Sequence, residues 1–231
     1  MSFIETLRNT GFNGDIVLAI AGHDLLAKHV EDYLRSKENV VVYIHELHCF
    51  ESDGVTPSKR KVKNGAFDIF QMCLLDDVYG IKNQDGKVIE TLKDQRIGRV
   101  VATLRYEWYW IWAARYNPES WVMLVDARDT FFQTNPFEGV PRKQNGLLYF
   151  FGENAEATRL GKSTKNMNWL RRSYGAATLD ALRQKPTICS GSTMGEQLAI
   201  ETYLRALGKL IGNFSLAFNL ILTSPFLHFS E

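Results

Sequence analysis

Two charge-free, β-branched runs lie close together near the start of the chain: Ile16-Val-Leu-Ala-Ile20 and Asn39-Val-Val-Val-Tyr-Ile44. Such runs fit a buried strand. Between them, His23 to Arg35 carries Leu25, Leu26, Val30 and Leu34 at helical spacing. A strand–helix–strand unit of this size joins strands that lie parallel, because a hairpin turn cannot span them. Ahead of it, Ile4 to Thr10 reads as the tail of a helix closed by Gly11, and Gly14-Asp15 opens the first strand.

The same alternation continues. Glu51 to Gly65 and Tyr79 to Thr91 read as polar loops, with a short helical segment, Phe67 to Leu75, between them. Asp94 to Tyr116 is the longest expected helix, with Ile97, Val100, Leu104, Trp108 and Ile111 on one stripe, widened by Trp110 and Trp112. Asn117-Pro118 ends it. Trp121 to Val125 and Gly146 to Phe151 follow as strands, separated from later elements by a polar region rich in Asn, Lys and Arg. Thr178 to Arg183 is expected as a short helix, Pro186 to Cys189 as a short strand, Ser190-Gly191-Ser192 as a turn, and Thr193 to Leu210 as an amphipathic helix. The pattern predicts an α/β domain with a mostly parallel sheet flanked by helices, over residues 1–210. Residues 211–231 form an apolar tail.

Composition narrows the function classes. Lys and Arg number 27 and Asp and Glu 26, a net charge of +1 that argues against a general nucleic-acid binder. Cys49, Cys73 and Cys189 have no metal-ligand spacing, and three cysteines form at most one disulfide, so no disulfide framework exists and the redox compartment stays open. The residues after Met1 are too polar for a signal peptide. Leu210 to Phe229 lacks charge, but Asn213, Ser215, Asn219, Thr223, Ser224 and Pro225 interrupt it and count against a bilayer span. Asn213-Phe-Ser215 is a sequon that matters only in the secretory pathway.

Chemistry concentrates in two places. The run Trp121 to Val125 stops at Asp126-Ala-Arg128-Asp129-Thr-Phe-Phe-Gln133-Thr-Asn135-Pro136-Phe137. Ligands of open α/β sheets gather beyond the carboxyl ends of strands. Asp126 and Asp129 are candidate ligands for a divalent cation, whose shell phosphates would complete. Arg128 is a candidate two-pronged ligand for a diphosphate. The competing structural reading has Asp126 capping a turn and Asp129 paired with Arg128 or Arg142. The second constellation is Ser190-Gly191-Ser192, small residues between an expected strand and helix, where backbone N–H groups favour an anion or a sugar hydroxyl. There the plainer reading is a tight turn with Ser192 or Thr193 as helix N-cap and Glu196 completing a capping box. His23, His29, His45 and His48 lack metal-binding spacing, and Lys59-Arg-Lys-Val-Lys63 reads as a solvated basic loop, with phosphate or membrane contact as the lesser alternative.

Three stretches together resemble a eukaryotic glycosyltransferase-like family with the GT-A nucleotide-diphospho-sugar transferase fold: Thr6 to Leu18, Val125 to Phe137, and Cys189 to Gly195 with Tyr203-Leu204 behind it. They span about residues 4 to 210. The resemblance implies a Rossmann-like domain, here incomplete because Met1 falls after the family's first strand and the chain lacks the later acceptor-side segment. It implies an Asp-x-Asp-like element at Asp126, with the second acid at Asp129, that binds manganese or magnesium. It implies sugar transfer from a nucleotide-diphosphate donor to a glycan or glycoprotein acceptor, in the Golgi or elsewhere in the secretory pathway. No catalytic base is assigned. Two other readings stand beside it: a non-catalytic relative that keeps the fold, and a haloacid-dehalogenase-type phosphatase. Against the latter, the Asp126–Asp129 spacing is one residue longer than that family's acid pair, which on an extended strand end turns the second side chain to the other face.

Overall fold

In the computed structural model the described residues are 3–21, 27–45, 47–51, 55–58, 72–75, 79–82, 88–92, 98–128, 130–141, 146–153 and 159–211. The chain divides into two compact units. One comprises Met1–Tyr116, Phe132–Pro136 and Glu201–Glu231; the other comprises Asn117–Phe131 and Phe137–Ile200. No described helix is long and apolar enough to cross a membrane. Asp129, His23, the Lys59–Lys63 loop and the tail from residue 212 lie outside the described residues.

The first unit begins with α1 (Phe3–Asn9), which ends as expected at Gly11, in the left-handed region at φ 83°. Then β1 (Ile16–Ala21), α2 (Lys28–Arg35) and β2 (Val40–His45) form the expected strand–helix–strand unit, with β1 and β2 parallel and Ile16 opposite Val40. Arg8 fixes the entry to both strands. Its guanidinium donates to the carbonyls of Phe12 and Gly14 ahead of β1, at 3.0 and 2.8 Å, and to those of Glu38 and Asn39 ahead of β2, at 3.0 and 3.3 Å. Ile4, Leu7 and Ile16 form the buried core here, and Phe132 packs against it, edge-on to Phe3 at 5.4 Å.

Beyond β2 the pattern departs from a parallel repeat. β3 (Leu47–Phe50) pairs antiparallel with β4 (Met72–Leu75), which pairs antiparallel with β7 (Arg99–Val100); β5 (Tyr79–Lys82) and β6 (Val88–Leu92) form a separate antiparallel pair. Two expectations fail there. Met72 to Leu75 is strand, where Phe67 to Leu75 was expected helical, and the expected polar loop Tyr79 to Thr91 contains two strands. Cys49 and Cys73 stand directly opposite one another and are joined as a disulfide, leaving Cys189 as a free thiol. The bond is a tertiary constraint on a segment whose short apolar run reads equally as helix or strand.

α3 (Val101–Ala113) lies within the long helix expected over Asp94 to Tyr116. Leu104 and Trp108 pack with Cys73, and Leu47, Cys49, Val101 and Trp112 close the cluster. Glu107 is also inside, 2 % exposed, and holds the Arg99 guanidinium through two hydrogen bonds of 2.8 and 3.0 Å.

The second unit is a three-stranded antiparallel sheet ordered β8 (Trp121–Val125), β10 (Ile188–Glu196), β9 (Leu148–Gly152). It also holds α4 (Thr164–Leu182), and α5 (Gln197–Ile211) begins in it. Ser163 caps α4 by accepting from the Asn166 amide at 3.3 Å, and Gly175, at φ 85°, breaks it into two helical stretches. The chain therefore has the expected mixture of helix and strand, while parallel pairing among the described residues is confined to β1 and β2.

Candidate functional site

β8 is short and largely apolar and pairs with the central strand β10: Leu124 is buried, and its neighbours are half-buried. The ladder runs from Trp121 opposite Glu196 to Val125 opposite Ser192. One residue further, the Asp126 amide donates to the Gly191 carbonyl at 2.9 Å, so the aspartate is still held by β10 as the chain leaves the sheet. The turn that follows is closed by Thr130, whose hydroxyl donates to the Asp126 carbonyl at 2.7 Å. Arg128 projects from it, exposed.

Across from Asp126 the sequence expectation needs correcting. Ser190-Gly191-Ser192 is not a turn, and no helix begins at Thr193. These residues are the middle of β10, and α5 starts only at Gln197, whose amide donates to the Ser120 carbonyl at 2.8 Å. The anion-binding helix N-terminus expected beside Ser190, Gly191 and Ser192 is therefore not there. Gly191, which suggested a turn, serves close packing instead, as does Gly195. A β-carbon on Gly191 would sit 2.8 Å from Oδ2 of Asp126, and one on Gly195 would sit 2.6 Å from the Leu147 carbonyl oxygen. Neither glycine has the positive φ that a turn glycine exploits.

The capping-box expectation for Glu196 also fails. Its carboxylate, 5 % exposed, accepts from the amides of Gly146 and Leu147 at 2.6 and 3.2 Å, fixing the chain's entry into β9. Sequence reasoning missed this role. The available signal was alternation: Ser192, Met194 and Glu196 fall on one face of an extended run, and Gly191, Thr193 and Gly195 on the other.

The pairing of β10 with β9 changes register between Ile188 and Thr193. Ser190 is exposed within that irregular stretch, while Gly191 and Ser192 are half-buried. Irregularities of this kind re-aim side chains and often border active sites. The structure thus brings Asp126 and Gly191 into contact and puts Ser192 across the ladder from Val125.

A divalent cation of the magnesium type is held by one or two carboxylates together with phosphates and water. Asp126 supplies one carboxylate. Among the described residues, no three His, Cys, Asp or Glu side chains come together to hold a metal on their own.

Of the candidate histidines, His29 and His48 are exposed. No family model matches the chain, and no curated protein or solved structure shows significant similarity to it.

Proposed function

We propose that the chain is a glycosyltransferase-like protein that binds a nucleotide-diphosphate sugar, with a fold of the GT-A type. The observation that carries the reading is the placement of Asp126. Its carboxylate stands at the end of β8, over the bare backbone of Gly191, where the resemblance puts a diphosphate-binding acid. The β1–α2–β2 unit supports the fold as one instance of the parallel repeat it requires. The Cys49–Cys73 disulfide supports an oxidising compartment, where such bonds persist, and hence the secretory pathway.

On this reading Asp126 and Asp129 hold the cation, and the exposed guanidinium of Arg128 pairs two-pronged with the diphosphate. A divalent cation bound there, manganese or magnesium, would neutralise charge on the leaving diphosphate. Ser190 and Ser192, on either side of Gly191 in β10, offer hydroxyls for the donor sugar. The acceptor is a glycan or glycoprotein hydroxyl.

Isothermal titration calorimetry with UDP and GDP, with and without manganese, tests the proposal. Saturable binding is expected, weakened roughly tenfold to a hundredfold in Asp126→Ala, the loss of one charged interaction. Retained binding without manganese that is lost in Arg128→Ala would assign the diphosphate to the arginine. No heat with either nucleotide under any condition sinks the transferase reading and leaves a fold-keeping relative without the activity.

A further inference from the structure

The near-neutral total hides a strong local imbalance. Residues 159–185 contain seven of the chain's 27 basic residues (Arg159, Lys162, Lys165, Arg171, Arg172, Arg183 and Lys185) and one of its 26 acidic ones, Asp180. This segment carries a formal +6, and the rest of the chain −5.

Folding concentrates that charge further. The Leu160 amide donates to the Lys185 carbonyl at 3.1 Å, the Gly161 amide donates to the Arg183 carbonyl at 2.7 Å, and Arg159 bridges to Pro186. Two stretches more than twenty residues apart in sequence are thereby laid side by side, with Arg159, Lys162, Arg183 and Lys185 all exposed at the junction. α4 leaves from the same place. Met167 and Leu170 are half-buried, while Lys165 and Trp169, one turn apart on the same side of the helix, are exposed together. Asp180, the one acid within this stretch of sequence, faces Arg183 at a loose 3.9 Å.

The aromatic on this surface is unusual. Trp169 is 46 % exposed, and the Lys165 ammonium lies over its ring at 4.8 Å. An exposed indole among lysines and arginines fits one setting better than plain water: the boundary between lipid headgroups and acyl chains. There an aromatic ring is half solvated, and the cations meet anionic lipid. We propose that this face, built from residues 159–162, α4 and residues 183–185, docks on an anionic membrane surface. Attachment is peripheral, driven by charge and anchored by Trp169. The inference does not depend on the transferase reading, since none of these residues belongs to the Asp126 site.

Co-sedimentation of the full chain with vesicles tests it. Vesicles of phosphatidylcholine with phosphatidylserine should bind the protein; phosphatidylcholine alone should not. Binding should weaken steeply as salt shortens the Debye length. Each cation near such a surface is worth about fivefold in partitioning, so Lys162→Gln, Lys165→Gln and Lys185→Gln combined should lower it about a hundredfold. Trp169→Ala should weaken it without changing its salt dependence, and the exposed Arg115→Gln, outside the face, should leave it unaltered. Circular dichroism establishes that each variant is folded. Equal binding to neutral vesicles, or unchanged binding by the triple variant, overturns the proposal. So does retention on heparin or single-stranded RNA with no vesicle binding at all, which would assign the face to another polyanion.

Discussion

Gly191 holds its position by what it lacks. An alanine there brings a methyl group to 2.8 Å from Asp126 Oδ2, so the carboxylate or the strand must give way. Gly191→Ala is expected to weaken nucleotide-diphosphate binding about as far as Asp126→Ala does, while its stability cost in urea denaturation stays near the roughly 1–3 kcal/mol of a modest overpacking. A variant that binds normally would show that the carboxylate has room to spare. The position of Asp126 at a strand end was legible in the sequence, because a charge-free run stopping at an acid reads one way. Gly191 was misread because glycine marks turns and close approaches alike, and only the neighbouring strand tells them apart. Glu107 gives a second test at this scale. It is buried, and Arg99, 5 % exposed, is its partner. Glu107→Ala strands a buried cation and is expected to cost about 3–5 kcal/mol in denaturant unfolding, whereas replacing both partners by apolar residues should cost much less.

Among the elements, β1, α2, β2 and β8 were the most legible, because charge-free runs and helical spacing there meet clear turn residues. The run Phe67 to Leu75 was not. A short apolar segment fits a buried helix or a strand equally, and the choice at Met72 to Leu75 rests on a partner strand and on Cys49 across the ladder. β10 hid for a related reason: its Ser, Gly and Thr residues lack strand hydrophobicity, yet as the central strand it pairs on both sides. The β3–β4 pairing yields a prediction. The disulfide closes a sequence separation of 24 residues, for which the chain-entropy estimate is about 3–4 kcal/mol. The double variant Cys49→Ala, Cys73→Ala should unfold at correspondingly lower urea. If oxidised wild type and the variant unfold together, the bond contributes nothing net.

For the molecule as a whole, pH offers a probe that spans the sequence. The Tyr116 hydroxyl donates to Oδ2 of Asp15, 101 residues away, at 3.0 Å. Partial burial, then the Asp15 charge and this hydrogen bond, push the phenol well above its ordinary value of 10.0. A raised folded-state pKa means the unfolded chain ionises first. The stabilisation is complete below pH 10 and is lost as the pH climbs towards the folded-state value. Stability measured between pH 9 and 11 should therefore decline in the wild type and decline less in Tyr116→Phe; parallel declines would show that the contact does not report on folding. Whole-chain charge was readable from composition, but its gathering at residues 159–185 needed the backbone pairing that brings the two ends of that stretch together.

The Cys49–Cys73 bond has a further consequence for how the polypeptide behaves once it is cut. Lys59, Arg60, Lys61 and Lys63 all fall inside the loop it closes, so a single tryptic nick at any of them leaves the two pieces covalently tethered. Such a nicked species would run as one band on a gel without reductant and as two with it. A protein cleaved there would still hold β3 and β4 to one another, and would pass for intact in any preparation kept oxidised.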